Sequence, residues 1–258
     1  MQTSKVIAEY LKKQFGEIPS TALILGSGMI DLITIQKKVN YLDLGISAGN
    51  IKGHNGFFAV GKFGETPVFC ASRIHFYESG NMDLVRIPFE VMHNLGIKNL
   101  ILQTTVGGID LMPGDVAIIT GHINFTGQNP LVGLQPIKFI DMENFYNKSI
   151  IDKLKLECVF QEVNLKESTH MQFLGPNYET SSEIYMARLF GVKTMSMSMV
   201  YDALLACYFD FKAICFAVVA NTAGDGQKLT HDVVLANVKN GEFALVKAIT
   251  IAIKILNE

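Results

Sequence analysis

The chain has 258 residues, of which 49% are hydrophobic and 18% charged, with a formal net charge of −2. That length and balance supply a sizeable buried core and exclude a disordered chain. So small a net charge creates no field that would gather nucleic acid or an acidic membrane, and any anion site has to be built locally.

Four cysteines, Cys70, Cys158, Cys207 and Cys215, stand apart without a C-x-x-C pair, and Cys70 and Cys215 lie inside apolar runs. Buried reduced thiols are the expectation. The longest apolar run, 213–220, falls short of the roughly 20 residues a bilayer span needs, and no signal-peptide core follows the first residues. A soluble cytoplasmic protein is expected, with no nucleic-acid or membrane partner. Neither a repeat nor a linker divides the chain, so 1–258 reads as a single domain.

In chain order, an amphipathic helix over 4–15 precedes a strand over 21–25 that runs into Gly26-Ser27-Gly28. A strand ending so can wrap amides and a hydroxyl around an anion, or simply turn tightly. The third glycine of a dinucleotide fingerprint is missing, as is the Gly-Lys-Ser/Thr of a P-loop. Strands are predicted over 39–44 and 57–63, separated by Gly53-His54-Asn55-Gly56, which puts His54 in a loop. An apolar run over 67–71 leads to Arg73 and His75, whose side chains point the same way if the strand continues that far. Residues 82–95 carry apolar positions at helical spacing and stop at Gly96, with His93 on the helix surface.

The stretch 100–133 organises the rest. A buried strand over 100–102 delivers Gln103-Thr104-Thr105-Val106-Gly107-Gly108 to its carboxyl end, where α/β sheets hold ligands. A second strand over 116–120 reaches Gly121-His122-Ile123-Asn124, and Gly127-Gln128-Asn129-Pro130 turns the chain. Polar groups at neighbouring strand ends suit a small polar ligand, although the glycines and Asn129-Pro130 are also ordinary turn punctuation. Beyond them, 139–144 reads as a loop and 149–159 as a surface helix.

A strand over 169–174 ends in Gly175-Pro176-Asn177-Tyr178-Glu179-Thr180 before a helix over 181–190. The ring and carboxylate there suggest a site, while Thr180 or Ser181 capping the helix is the structural alternative. Met195-Ser196-Met197-Ser198-Met199 alternates thioether and hydroxyl, as a strand with two unlike faces would. A helix over 201–209, a strand over 213–220 ending at Asn221, and one long C-terminal helix capped by Thr230 complete the order.

Gly26-Ser27-Gly28, Gly53-His54-Asn55-Gly56, Arg73-Ile74-His75-Phe76-Tyr77-Glu78, Gly107-Gly108, His122-Ile123-Asn124, Gly127-Gln128-Asn129-Pro130-Leu131, Gly175-Pro176-Asn177-Tyr178-Glu179-Thr180, Met197-Ser198 and Asn221 occur in one order over nearly the whole chain. Together they resemble the trimeric type of purine nucleoside phosphorylase. The resemblance implies a single-domain, three-layer α/β fold with a mixed twisted central sheet flanked by helices. It also implies a homotrimer, possibly a dimer of trimers, and phosphorolysis of purine nucleosides with inorganic phosphate as co-substrate and no metal or other cofactor.

By position, the resemblance assigns phosphate to Ser27, His54, Arg73, His75, the Thr105 amide and Ser198. It assigns ribose to Tyr77, Met197 and His231, and the base to Tyr178, Glu179 and Asn221, with Phe139 reaching a neighbouring subunit's site. His75, Glu179 and Asn221 would serve catalysis. Donors of these types suit a dianion in a chain without net positive charge. Asn221 and His231 point to a 6-oxopurine nucleoside with a 5′-hydroxyl, inosine or guanosine. A methylthioadenosine phosphorylase and a purine-binding protein without turnover are the alternatives. The chain departs from the family pattern at Ser72 (glycine), 103–106 (Thr-Asn-Ala-Ala), Tyr201-Asp202 (Pro-Glu) and Ala220 (threonine).

Overall fold

The computed structural model describes residues 2–26, 28–47, 56–225 and 231–258, without the side chains of Gln2, His231, Asp232, Val233 and Leu235. Among the described residues there are nine strands and eight α-helices.

Helix α1 (Gln2–Phe15) leads to β1 (Thr21–Ile24), whose four residues are all buried. An edge strand β2 (Ile33–Asn40) pairs antiparallel with β3 (Phe57–Phe63), and β3 with β4 (Thr66–Ala71). The strand expected over 39–44 is therefore displaced: 42–44 form a 3-10 turn, and the strand precedes it. Its Ile-Thr-Ile-Gln-Lys-Lys run is largely exposed, so hydrophobic alternation does not mark it; lysines at an edge instead discourage pairing with another chain.

Strand β4 ends at Ala71, short of Arg73, and His75 is the N-cap of a one-turn helix, α2 (Phe76–Ser79). Arg73 and His75 thus do not share a strand face. Helix α3 (Met82–Leu95) has the predicted bounds: the Asn81 side chain accepts from the Asp83 amide at its start, and Gly96 closes it at φ 84°.

The central strand β5 (Asn99–Gly108) is longer than its apolar half and pairs parallel with both β1 and β9 (Lys212–Thr222). Strands β6 (Val116–Asn124), β7 (Leu165–Gln172) and β8 (Val192–Ser196) complete the sheet, in the order β2-β3-β4-β1-β5-β8-β7-β6-β9. Because β9 also returns to β5, the strands β5, β8, β7, β6 and β9 close into a ring.

Helices cover both faces. Helices α1, α3 and α6 (Val200–Tyr208) bury residues such as Leu11, Phe89 and Leu205 against one face; α4 (Lys148–Phe160), α7 (His231–Asn240) and α8 (Glu242–Leu256) bury Leu154, Val238 and Ile249 against the other. Helix α5 (Ser181–Leu189) lies over a smaller cluster with Met171 and Met195. The three-layer mixed-sheet expectation holds. The single C-terminal helix does not: it breaks at Gly241, where an added Cβ would lie 2.8 Å from the Gly114 carbonyl and 2.9 Å from Val218 Cγ1. The expected cap Thr230 lies outside the described residues.

Candidate active site

The carboxyl half of β5 gathers the polar groups. Gln103 has no exposed surface, accepts from the Gly26 amide through Oε1 at 2.6 Å, and accepts from Arg73 Nη2 through its carbonyl at 3.1 Å. A Cβ on Gly26 would lie 3.2 Å from the Thr105 amide nitrogen, so the turn after β1 is pressed against β5 at that amide. Arg73 Nε donates to Asp202 Oδ2 at 2.5 Å. A guanidinium has five N–H donors, and these two bonds hold its plane.

His75 Nδ1 lies 2.7 Å from Glu78 Oε1, and its ring stacks on Tyr77 with centroids 4.9 Å apart. A carboxylate only accepts, so Nδ1 carries the proton there. Burial first, and then the Glu78 charge, push the Tyr77 hydroxyl up to about 12, with Arg73 and Tyr178 also acting on it. The charges of Arg73 and Tyr178 are thus felt at Tyr77 on α2.

On the next strand over, β8 ends at Ser196 and the chain turns through Met197 and Ser198 into α6. Met199 takes φ 85° there, a conformation that non-glycine residues adopt only when the surroundings impose it. The imposing groups are polar and buried. Gln172 Oε1 accepts from the Val200 amide at 2.7 Å. His170 Nε2 lies 3.2 Å from the Ser198 carbonyl, and its Nδ1 lies 3.1 Å from Thr194 Oγ1. Nε2 also lies 3.2 Å from Ser196 Oγ, and a carbonyl only accepts, so the bond to Ser198 places the proton on Nε2. Burial holds the His170 ring neutral, its pKa pushed down to about 3.

The opposite end of the site is set by β9. Its register with β5 slips by one residue after Val219, which brings Asn221 opposite Gly107. The Asn221 amide lies over that glycine, 3.6 Å from where a Cβ would stand. Gly175, at φ 74°, packs so tightly on Met197 that a Cβ would come 2.5 Å from its sulfur, tying the loop before α5 to the Met197-Ser198 turn. Glu179 follows on that loop, and burial raises its carboxyl above the usual range. Thr180 caps α5 in a full capping box with Glu183, so the structural reading of Thr180 is also correct.

Arg73, Ser198 and Asn221 thus meet the carboxyl half of β5 near Thr105, Met197 precedes Ser198 in the same turn, His75 and Tyr77 follow Arg73 in the chain, and Tyr178 and Glu179 follow Gly175. Phe139 is not among them: it is fully exposed. Ser27, His54 and the His231 side chain lie outside the described residues. Sequence reading missed three supports. Asp202 enters the sequence reading only as a departure, while His170 and Gln172 flank Met171 at the end of β7, before Phe173. That alternation was a visible signal of a polar inner face. Among the described residues, no group of three or more histidine, cysteine or acidic side chains could hold a metal ion, and no helix is long and apolar enough to cross a membrane.

The phosphorylase superfamily profile matches residues 21–254. Purine nucleoside phosphorylase 1 of Geobacillus stearothermophilus is 33% identical over 94% of this chain and 94% of its own length; that of Bacillus subtilis is 32% identical over 94% and 95%. Isoform 2 of purine nucleoside phosphorylase from Schistosoma mansoni, solved with cytosine and ribose-1-phosphate, superposes with a TM-score of 0.86 at 27% identity, covering 100% of this chain and 96% of that one.

Proposed function

The chain belongs to the purine nucleoside phosphorylases of the phosphorylase superfamily, and from that premise we propose which substrates it takes and which residues handle them. Its reaction is phosphorolysis of a purine nucleoside. A phosphate oxygen forms a bond to the anomeric carbon as the bond from that carbon to the purine nitrogen breaks, and the purine leaves with the electron pair and takes up a proton. The products are free base and ribose 1-phosphate.

Phosphate sits against Arg73, His75, the Thr105 amide and Ser198, with Ser27 and His54 completing the set. The observation that carries this reading is the immobilised Arg73. Its guanidinium is tied to Asp202 and to the Gln103 carbonyl, two residues before Thr105 on β5, so it needs no reorganisation when charge arrives. Ribose packs on Tyr77 and Met197, with His231 at its 5′ end. Gln103 and Gly107 are about 13 Å apart along β5, at roughly 3.3 Å per residue. A nucleoside lying along that strand end therefore reaches Asn221 with its base.

The base is a 6-oxopurine. The Asn221 amide donates to O6 or N7 as charge builds on the departing ring, Glu179 accepts from N1, and Tyr178 covers the ring. No metal or organic cofactor takes part. Exposure of the whole Phe139 ring supports a homotrimer in which it enters a neighbouring subunit's site, and the enzyme works in the cytoplasm. Comparing inosine, guanosine and 5′-methylthioadenosine at saturating phosphate tests the substrate: the oxopurine nucleosides are expected to turn over faster by at least about two orders of magnitude, the scale on which a mismatched hydrogen-bond pattern is rejected. Faster turnover of methylthioadenosine would overturn the assignment.

A further inference from the structure

The hydroxyl of Thr104 lies 2.7 Å from that of Ser198, across a separation of 94 residues, and Thr104 is 1% exposed against 9% for Ser198. One hydrogen lies between the two oxygens. The other acceptors near Thr104 Oγ1 are Ser196 Oγ at 3.4 Å and the Thr105 carbonyl at 3.5 Å, both beyond the range of a good O–H···O bond. Ser196 is occupied elsewhere: its Oγ accepts from the Ser198 amide at 3.1 Å and lies 3.1 Å from the Ser198 carbonyl and 3.2 Å from His170 Nε2. If Thr104 accepted from Ser198, its own proton would be buried with no good partner, which is costly. If Thr104 donates, the proton left over belongs to Ser198, the less buried of the two residues.

We propose that Thr104 is a positioning residue for phosphate: by donating to Ser198 Oγ it turns the single Ser198 proton out toward the anion and polarises it. The inference rests on the reading that Ser198 contacts phosphate. The turn is held on its other side by His170, whose Nε2 lies 3.2 Å from both the Ser198 carbonyl and Ser196 Oγ. Chained hydrogen bonds strengthen one another, most of all when the last acceptor is charged.

The test is steady-state kinetics of inosine cleavage, with phosphate and nucleoside varied separately, together with calorimetric phosphate binding in the absence of nucleoside. The variants are Thr104→Val, Thr104→Ser, Ser198→Ala and the double variant Thr104→Val/Ser198→Ala. Ser198→Ala is expected to raise the phosphate KM about tenfold, as loss of a bond to a charged group does. Thr104→Val is expected to raise it about fivefold with the inosine KM unchanged, Thr104→Ser to restore it, and the double variant to match Ser198→Ala. If Ser198→Ala weakens phosphate but Thr104→Val does not, or the two effects add in full, the positioning role is wrong while the phosphate reading stands. If Ser198→Ala leaves phosphate affinity untouched, the reading of Ser198 itself fails. Should Thr104→Val unfold, Thr104→Cys retains the volume with a weak donor, and a normal phosphate KM in that variant would overturn the proposal.

Discussion

Arg73 Nε and Asp202 Oδ2 lie 2.5 Å apart in an ion pair whose side chains are only 5% and 2% exposed. Two chain segments 129 residues apart meet in this contact: the loop after β4 and the first turn of α6. The pair holds the one guanidinium of the site in place, and Asp202 is itself held by a helix whose first amide bonds to Gln172.

A buried charge that loses its partner destabilises more than a pair replaced whole. Asp202→Ala is expected to cost about 3–5 kcal/mol in urea unfolding, and Arg73→Met/Asp202→Ala to cost less than Asp202→Ala alone. Equal stability of the wild type and Asp202→Ala would mean the pair holds nothing.

His170 gives a pH dependence of definite sign. Its folded pKa, about 3, lies below the ordinary 6.5. Between these values the unfolded chain binds a proton that the folded chain refuses, so this residue's contribution is complete above pH 6.5 and is lost as the pH falls toward 3. His122, pushed down to about 4 by burial, acts in the same direction. His170→Gln is expected to be destabilised at neutral pH, and its deficit relative to wild type is expected to shrink by about 1.4 kcal/mol per pH unit between roughly pH 6 and 4. Unfolding curves that keep a constant separation across that range would contradict it.

Asn221 sets the base preference through the hydrogen it donates. Asn221→Asp replaces that donor with an acceptor matched to a 6-amino group. The ratio of adenosine to inosine kcat/KM is expected to rise by at least about tenfold, the worth of one hydrogen bond to a charged group. An unchanged ratio would remove Asn221 from base recognition.

Local signals carried the fold further than the site. Helix α3 was legible to its end residues because a cap, an apolar stripe and a glycine stop agreed. The loop tips were legible as polar clusters after apolar runs, since each needs only its own strand. Hidden from the sequence were contacts across distance. Nothing near Asp202 says that it meets Arg73, and nothing near Gln172 says that it caps α6. The exposed β2 edge and the break at Gly241 were missed for a related reason. The first carries no buried stripe, and the second answers to Gly114 and Val218, far along the chain.

The central claim is that phosphate, rather than water, cleaves the nucleoside at the strand end organised by Arg73 and Asn221. Its most direct test follows inosine with purified protein, with and without added phosphate, quantifying hypoxanthine and ribose 1-phosphate together. Cleavage is expected to depend on phosphate and to yield the two products in equal amounts. Release of hypoxanthine with free ribose in phosphate-free buffer would contradict it.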